Sequence, residues 1–168
     1  MKDTIIEKFA NRLVRFEPTP FDTLLQDKTK KYLYEIGVPG GTTVGGIEMS
    51  LNGELTLLPE NKIQISYPEE KRIVFYLDPE KNDALCYGGY YTDNRFFANS
   101  SLENYMYCLY ELEDFYENIY SKRMFGEPDG EDISKKYAKY LEERIRQYEQ
   151  DLTFWRLEIE EIGYGWID

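Results

Sequence analysis

The sequence contains no histidine. That single absence removes the usual general base at neutral pH, every Ser-His-Asp or Cys-His arrangement, and the commonest nitrogen ligand of zinc. Cysteine is scarce as well. Cys86 and Cys108 have no C-x-x-C spacing, so they support neither a disulfide framework nor a structural zinc site. Both read as small buried hydrophobes, Cys86 in a strand and Cys108 in a helix, and no bridge between them is expected in a reducing cytoplasm. No serine lies within G-x-S-x-G. No apolar run is long enough to span a bilayer, and Met1-Lys2-Asp3-Thr4 leads into an amphipathic segment instead of a signal peptide. The expected location is therefore the cytoplasm, without a membrane partner. Internal repeats, low-complexity tracts and flexible linkers are also missing.

Positive charge is in short supply. Twenty basic residues against thirty-two acidic ones leave a formal charge of −12. A phosphate backbone would be repelled over most of such a surface, which argues against nucleic acid, and anionic lipid is repelled in the same way. A basic protein, by contrast, would be met faster, by about 10 to 10³-fold at low salt. Solubility alone is the competing use of the same charge.

What the chain does have is enough apolar residue, 42%, for one core in 168 residues. A domain near this size buries roughly 70% of its unfolded surface, so residues 1–168 are expected to fold as a single domain. Ile5, Ile6, Phe9, Leu13 and Phe16 recur at helical spacing over residues 3–16, with Pro18 and Pro20 ending the helix. A second short helix ends at Tyr32-Leu33-Tyr34-Glu35-Ile36-Gly37-Val38-Pro39, where Gly37 supplies a left-handed stop and Pro39 blocks continuation. From Gly40 to Asn99 the period becomes two, through Val44, Ile47, Met49, Leu55, Leu57, Ile63, Ile65, Ile73, Phe75, Leu77, Leu85 and Tyr87. Turns are expected at Asn52-Gly53, Pro59-Glu60-Asn61, Pro68-Glu69-Glu70 and Asp78-Pro79. No connection is long enough for a helical crossover, so adjacent strands run antiparallel.

Helical spacing returns with Ser100 as N-cap and Glu103 closing a capping box. Leu102, Tyr105, Met106, Leu109, Leu112, Tyr116 and Ile119 then form one stripe that should cover the sheet. A further helix carries Ile133, Tyr137, Leu141, Ile145, Tyr148 and Leu152. The stretch from Phe154 to Ile162 suits either helix or strand. The predicted fold class is α+β, with a single antiparallel or mixed sheet of four to six strands flanked by N- and C-terminal helices.

Three patterns resemble ligand sites. Gly40-Gly41-Thr42-Thr43-Val44-Gly45-Gly46 lacks both the G-x-G-x-x-G order and the P-loop ending, and reads as a loop with backbone freedom. Asp78, Glu80 and Asn82 alternate like a calcium loop, but Asp83 stands where the sharp-turn glycine is needed. The acids at Glu111, Glu113, Asp114 and Glu117, at Glu142 and Glu143, and at Glu158, Glu160 and Glu161 could pair for glycoside hydrolysis, yet most fall opposite an apolar stripe and read as solvated faces. No metal or cofactor is expected. Sixteen tyrosines exceed the needs of the core, and Tyr87, Tyr90, Tyr91, Phe96 and Phe97 crowd around Gly88-Gly89 and Asp93-Asn94, where rings make good binding anchors.

Phe97-Ala98-Asn99-Ser100-Ser101-Leu102-Glu103-Asn104-Tyr105, Leu33-Tyr34-Glu35-Ile36-Gly37-Val38-Pro39 and Phe154-Trp155-Arg156-Leu157-Glu158-Ile159 together resemble the SUKH superfamily. The match is to its group-four immunity proteins, which are related to a yeast cell-wall-synthesis regulator family. The resemblance runs from about Lys28 to Ile162 in order and is carried by Gly37, Pro39, Asn99, Ser100 and Trp155. Val38 stands where the family more often has leucine, and the similarity over Tyr87 to Phe97 is weak. What the resemblance implies is a SUKH-like domain that is not an enzyme and neutralises a cognate bacterial polymorphic toxin, often a nuclease or deaminase. The expected contacts are Tyr90, Tyr91, Asp93 and Asn94 as anchors, with Glu113, Asp114 and Glu117 as steering charges. The protein itself is expected as a monomer or weak homodimer. The alternatives are a regulatory protein-binding scaffold and, more remotely, a carboxylate-dependent hydrolase.

Overall fold

The structure is a computed structural model that describes residues 2–67, 73–89, 94–127 and 131–165. It is α+β. The elements run α1 (Lys2–Phe9), β1 (Leu13–Val14), α2 (Asp27–Lys30), β2 (Val38–Pro39), β3 (Thr42–Val44), β4 (Ile47–Met49), β5 (Thr56–Leu57), β6 (Ile63–Gln64), β7 (Ile73–Asp78), β8 (Ala84–Gly89), β9 (Arg95–Asn99), α3 (Leu102–Asp114), α4 (Glu131–Ile145) and α5 (Arg156–Tyr164). Strands β5 to β9 form one five-stranded sheet in sequence order, every neighbour antiparallel. The short connections dictate this meander, because none can carry a strand across the sheet. The turn expected at Pro68-Glu69-Glu70 lies outside the described residues.

The period-two residues sort onto two faces. Ile63, Phe75, Leu77 and Leu85 enter the main core, where Phe9, Leu33, Tyr105, Leu109, Leu141 and Trp155 meet them from the helices. Each such side chain contributes roughly 1.5–3 kcal/mol by leaving water. Tyr76, Ala84 and Cys86 point the other way, under Leu58 and Phe97. Both cysteines are free and buried, in β8 and α3 as expected. Among the described residues no helix is long and apolar enough to cross a membrane.

Several boundaries differ from the sequence reading. The first helix stops at Phe9, and a 3₁₀ turn over Ala10–Arg12 leads into β1, whose Leu13 and Val14 pair with Pro39 and Val38. Backbone pairing with β2 wins over the helical spacing of Leu13, so Pro18 and Pro20 do not end that helix. The helix stop at Gly37 holds: a π turn over Lys31–Ile36 closes with the Gly37 N–H donating to the Tyr32 carbonyl at 2.8 Å, and Gly37 has φ 98°. Val44, Ile47 and Met49 form a separate hairpin, β3–β4, beside the main sheet. Its Gly45-Gly46 turn has both residues at positive φ, the two-residue geometry that glycine permits at least cost, so the glycine-rich run is a hairpin and not a plain loop. The N-cap of α3 is Ser101, one residue later than expected, and its Oγ accepts the Asn104 N–H at 3.1 Å. Phe154 to Ile162 resolves as a turn through Trp155 followed by α5, with Trp155, Ile159 and Ile162 buried.

Candidate functional site

Asn99 and Ser100 meet Trp155, 56 positions after Asn99, at one polar junction. Asn99 closes β9 and Trp155 precedes α5, and the Trp155 indole N–H donates to Asn99 Oδ1 at 3.1 Å. Asn99 Nδ2 donates to Glu149 Oε2 at 3.3 Å and to Cys108 Sγ at 3.6 Å. The same Glu149 oxygen accepts the Ser100 N–H at 2.6 Å. Glu149 Oε1 accepts the N–H groups of Gln150 and Asp151 at 2.9 and 3.2 Å. A carboxylate only 4% exposed is thus held by four N–H donors and, among the described residues, by no cation. Charge-assisted bonds of this kind tie the sheet edge to the C-terminal helices. Glu149 was missed from sequence, because nothing local marks an acid just past the end of α4 as the partner of a strand end about fifty positions earlier. Ser100 accordingly does not cap α3 through its side chain; its backbone is capped by Glu149.

Tyr90, Tyr91 and Asp93 fall outside the described residues, and Asn94 is exposed just before β9. A column of rings reaches the surface beside it: Phe75 and Phe154 pack on Tyr87 at 5.8 and 5.2 Å, and Tyr87 packs on Phe96 at 5.4 Å. Phe96 is 48% exposed. Gly88 allows Asn94 to approach β8 closely, since a Cβ there would come within 2.2 Å of the Asn94 carbonyl oxygen. Burial raises the Tyr87 phenol pKa.

The acids expected to steer a partner sit at the end of α3 and in the π turn that follows. Glu113 receives Arg12 at 2.6 Å and Glu117 receives Lys8 at 2.7 Å, which ties α1 and the 3₁₀ turn after it to α3 and the π turn after that. Asp114 accepts from the Asn118 amide at 2.7 Å, a bond that brings it no cation. Other acids are also held within the chain, against the expectation of solvated faces. Glu111 is buried and receives Arg144 at 2.6 Å, while Glu158 accepts the Gly45 N–H at 2.7 Å and a short bond from the Tyr116 hydroxyl. Burial first, and Glu158 second, raise the Tyr116 pKa. Around the rejected calcium loop, the Lys62 ammonium sits against Asp78 at 2.6 Å and Glu80 at 3.3 Å. Among the described residues no group of three or more acids or cysteines is placed to hold a metal ion.

No family model, curated protein or solved structure matches this chain. Its own geometry therefore bears the functional argument: an anionic surface, an exposed ring column beside Asn94, and acids largely engaged in internal bonds.

Proposed function

We propose that this protein is a SUKH-like immunity protein of the cytoplasm, which binds a basic bacterial toxin, a nuclease or deaminase, and neutralises it by covering its working surface without chemistry. The observation that carries the reading is the −12 formal charge. Internal ion pairs remove acids and bases together and leave the net charge unchanged, so a cationic partner meets an anionic molecule at long range. The Tyr87–Phe96 column supports it by offering a rigid aromatic anchor at low conformational cost. That Asn99 and Trp155, from two of the segments that resemble the SUKH superfamily, are joined by a hydrogen bond supports the fold-level side of the reading. A neutralising contact of standard size would bury about 1,200–2,000 Å² in total.

Co-expression with the toxin encoded beside the gene tests this directly. Restored growth and one stoichiometric complex, whose association rate falls steeply between low and high salt, are expected. Growth arrest with no complex rejects the proposal, and capture of many unrelated proteins in place of one toxin moves the reading to a regulatory scaffold.

A further inference from the structure

Helix α5 is anchored on one side and exposed on the other. Ile159 and Ile162 are buried in the core, whereas Leu157 is 48% exposed and Tyr164 66%. At 3.6 residues per turn, Leu157, Glu160, Glu161 and Tyr164 share one arc of about 100°, and Leu157 and Tyr164 stand nearly in line, about 10.5 Å apart along the axis. Leu157 is supported from beneath: a Cβ on Gly45 would come within 3.0 Å of the Leu157 Cβ, so the side chain leans on the β3–β4 turn. Glu158 fastens the helix to the same turn by accepting the Gly45 N–H at 2.7 Å, and it accepts the Tyr116 hydroxyl besides. The outward face is thereby held in place without being covered by the elements that hold it.

Charge sets this face apart from α3 and α4. There Glu111, Glu113, Glu131, Glu142 and Glu143 each meet a lysine or arginine of the chain. On α5 no ion pair reaches Glu160 or Glu161 among the described residues. Arg156 is the one base of the helix, and it lies by Asp151, whose carboxyl Thr153 first and then this guanidinium hold below its ordinary pKa. An apolar line flanked by such carboxylates selects its occupant. A second copy of the chain would set the acids against one another, and anionic lipid would be repelled. An uncharged apolar partner would strip water from Glu160 and Glu161 without replacing it. A helix with apolar residues one heptad apart and cations beside them satisfies both kinds of group.

We propose that the outward face of α5 docks a basic amphipathic helix of a partner protein, whose apolar residues meet Leu157 and Tyr164 and whose lysines or arginines meet Glu160 and Glu161. The proposal deepens the reading of a cationic partner and rests on it for the origin of that helix, but its test needs no toxin. A nine-residue helix offers far less than the roughly 1,200 Å² of a standard interface, so binding is weak and is followed by NMR of the whole chain. Three peptides are titrated: a three-heptad helix with leucine at a and d and lysine at e and g, the same residues in scrambled order, and the first peptide with glutamate for lysine. Saturable shifts at Leu157 and its neighbours on α5 are expected with the first peptide, at least about five-fold weaker binding with the second, and none with the third. Glu160→Lys should weaken binding about five-fold or more, and Leu157→Ser about five-fold. Glu7→Lys makes the same change of charge on an exposed acid of α1 and should stay within about two-fold of wild type. Equal binding of the scrambled peptide, shifts that gather away from α5, or equal losses in Glu160→Lys and Glu7→Lys overturn the proposal. Concentration-dependent shifts at Leu157 with no peptide present give the face to a second copy and overturn it as well. Peptide binding at α5 together with no toxin complex would leave this surface standing and reject the toxin reading; a toxin complex unaffected by Glu160→Lys and Leu157→Ser, with no peptide binding, would do the reverse.

Discussion

Glu149→Gln is the most incisive perturbation of this fold. The native carboxylate accepts from Ser100 N and Asn99 Nδ2 through one oxygen and from Gln150 N and Asp151 N through the other. Glutamine keeps the shape but turns one oxygen into a donor, so two N–H groups lose their acceptor and face another N–H. A buried donor left unsatisfied costs about 1–3 kcal/mol. The side chain will turn its amide nitrogen toward Gln150 and Asp151, which lie nearer water, and that places the loss at about 2–4 kcal/mol. For a chain of this size each kcal/mol lowers Tm by roughly 2–4 °C, so a fall of about 5–15 °C follows. Urea denaturation should show a lower midpoint with an unchanged slope. Trp155→Phe removes the indole donor to Asn99, and the double variant should cost less than the sum of the two, because both belong to one network. Glu143→Gln, on an exposed acid 3.9 Å from Lys139, is the control and should stay within about 0.5 kcal/mol of wild type. If Glu149→Gln behaves like that control, the junction is not what joins the sheet to the C-terminal helices.

Three further outcomes are expected. Gly37→Val should lower Tm, because φ is 98° and a Cβ would meet Leu13 Cβ at 3.0 Å and the Val14 carbonyl at 3.2 Å; the left-handed backbone alone costs about 1–2 kcal/mol, and an unchanged Tm would contradict it. For Lys62, burial by itself depresses the pKa, but the hydrogen bonds to Asp78 and Glu80 outweigh it and raise the folded value above the ordinary one. Its stabilisation is therefore complete below the unfolded pKa and is lost as pH rises through the folded one. Chemical denaturation across pH 9–12 should show Lys62→Met less stable than wild type by about 3–5 kcal/mol at neutral pH, through the stranded Asp78, with the gap narrowing only in that alkaline window. The Cys108 thiol is pushed up to about 12 by burial, so thiol reagents at pH 8 should label it only after denaturant is added; rapid native labelling would mean that α3 opens.

The elements whose evidence is local could be read directly from the residues. Alternation of side chains along β7 and β8, the glycine stop at 37, and the stripe from Leu102 to Ile119 each follow from the period of the backbone, and short connections leave an antiparallel meander as the ready solution. Aromatic anchors beside Asn94 were legible only as a cluster of rings. Only the structure shows that Phe96 reaches water and that Gly88, by lacking a Cβ, leaves room for the Asn94 carbonyl. Leu13 shows where local evidence fails: its spacing is helical, but pairing with Pro39 satisfies backbone groups that a longer helix would have left facing β2. The fate of the acids was decided by tertiary structure alone. Composition determined how many carboxylates the chain carries, whereas packing determined that Glu149 holds a strand end, that Glu113 and Glu117 hold the N-terminal segment, and that Glu103 meets the Tyr32 hydroxyl, because a charge is satisfied by whatever donor the fold brings within 3 Å, however distant in sequence.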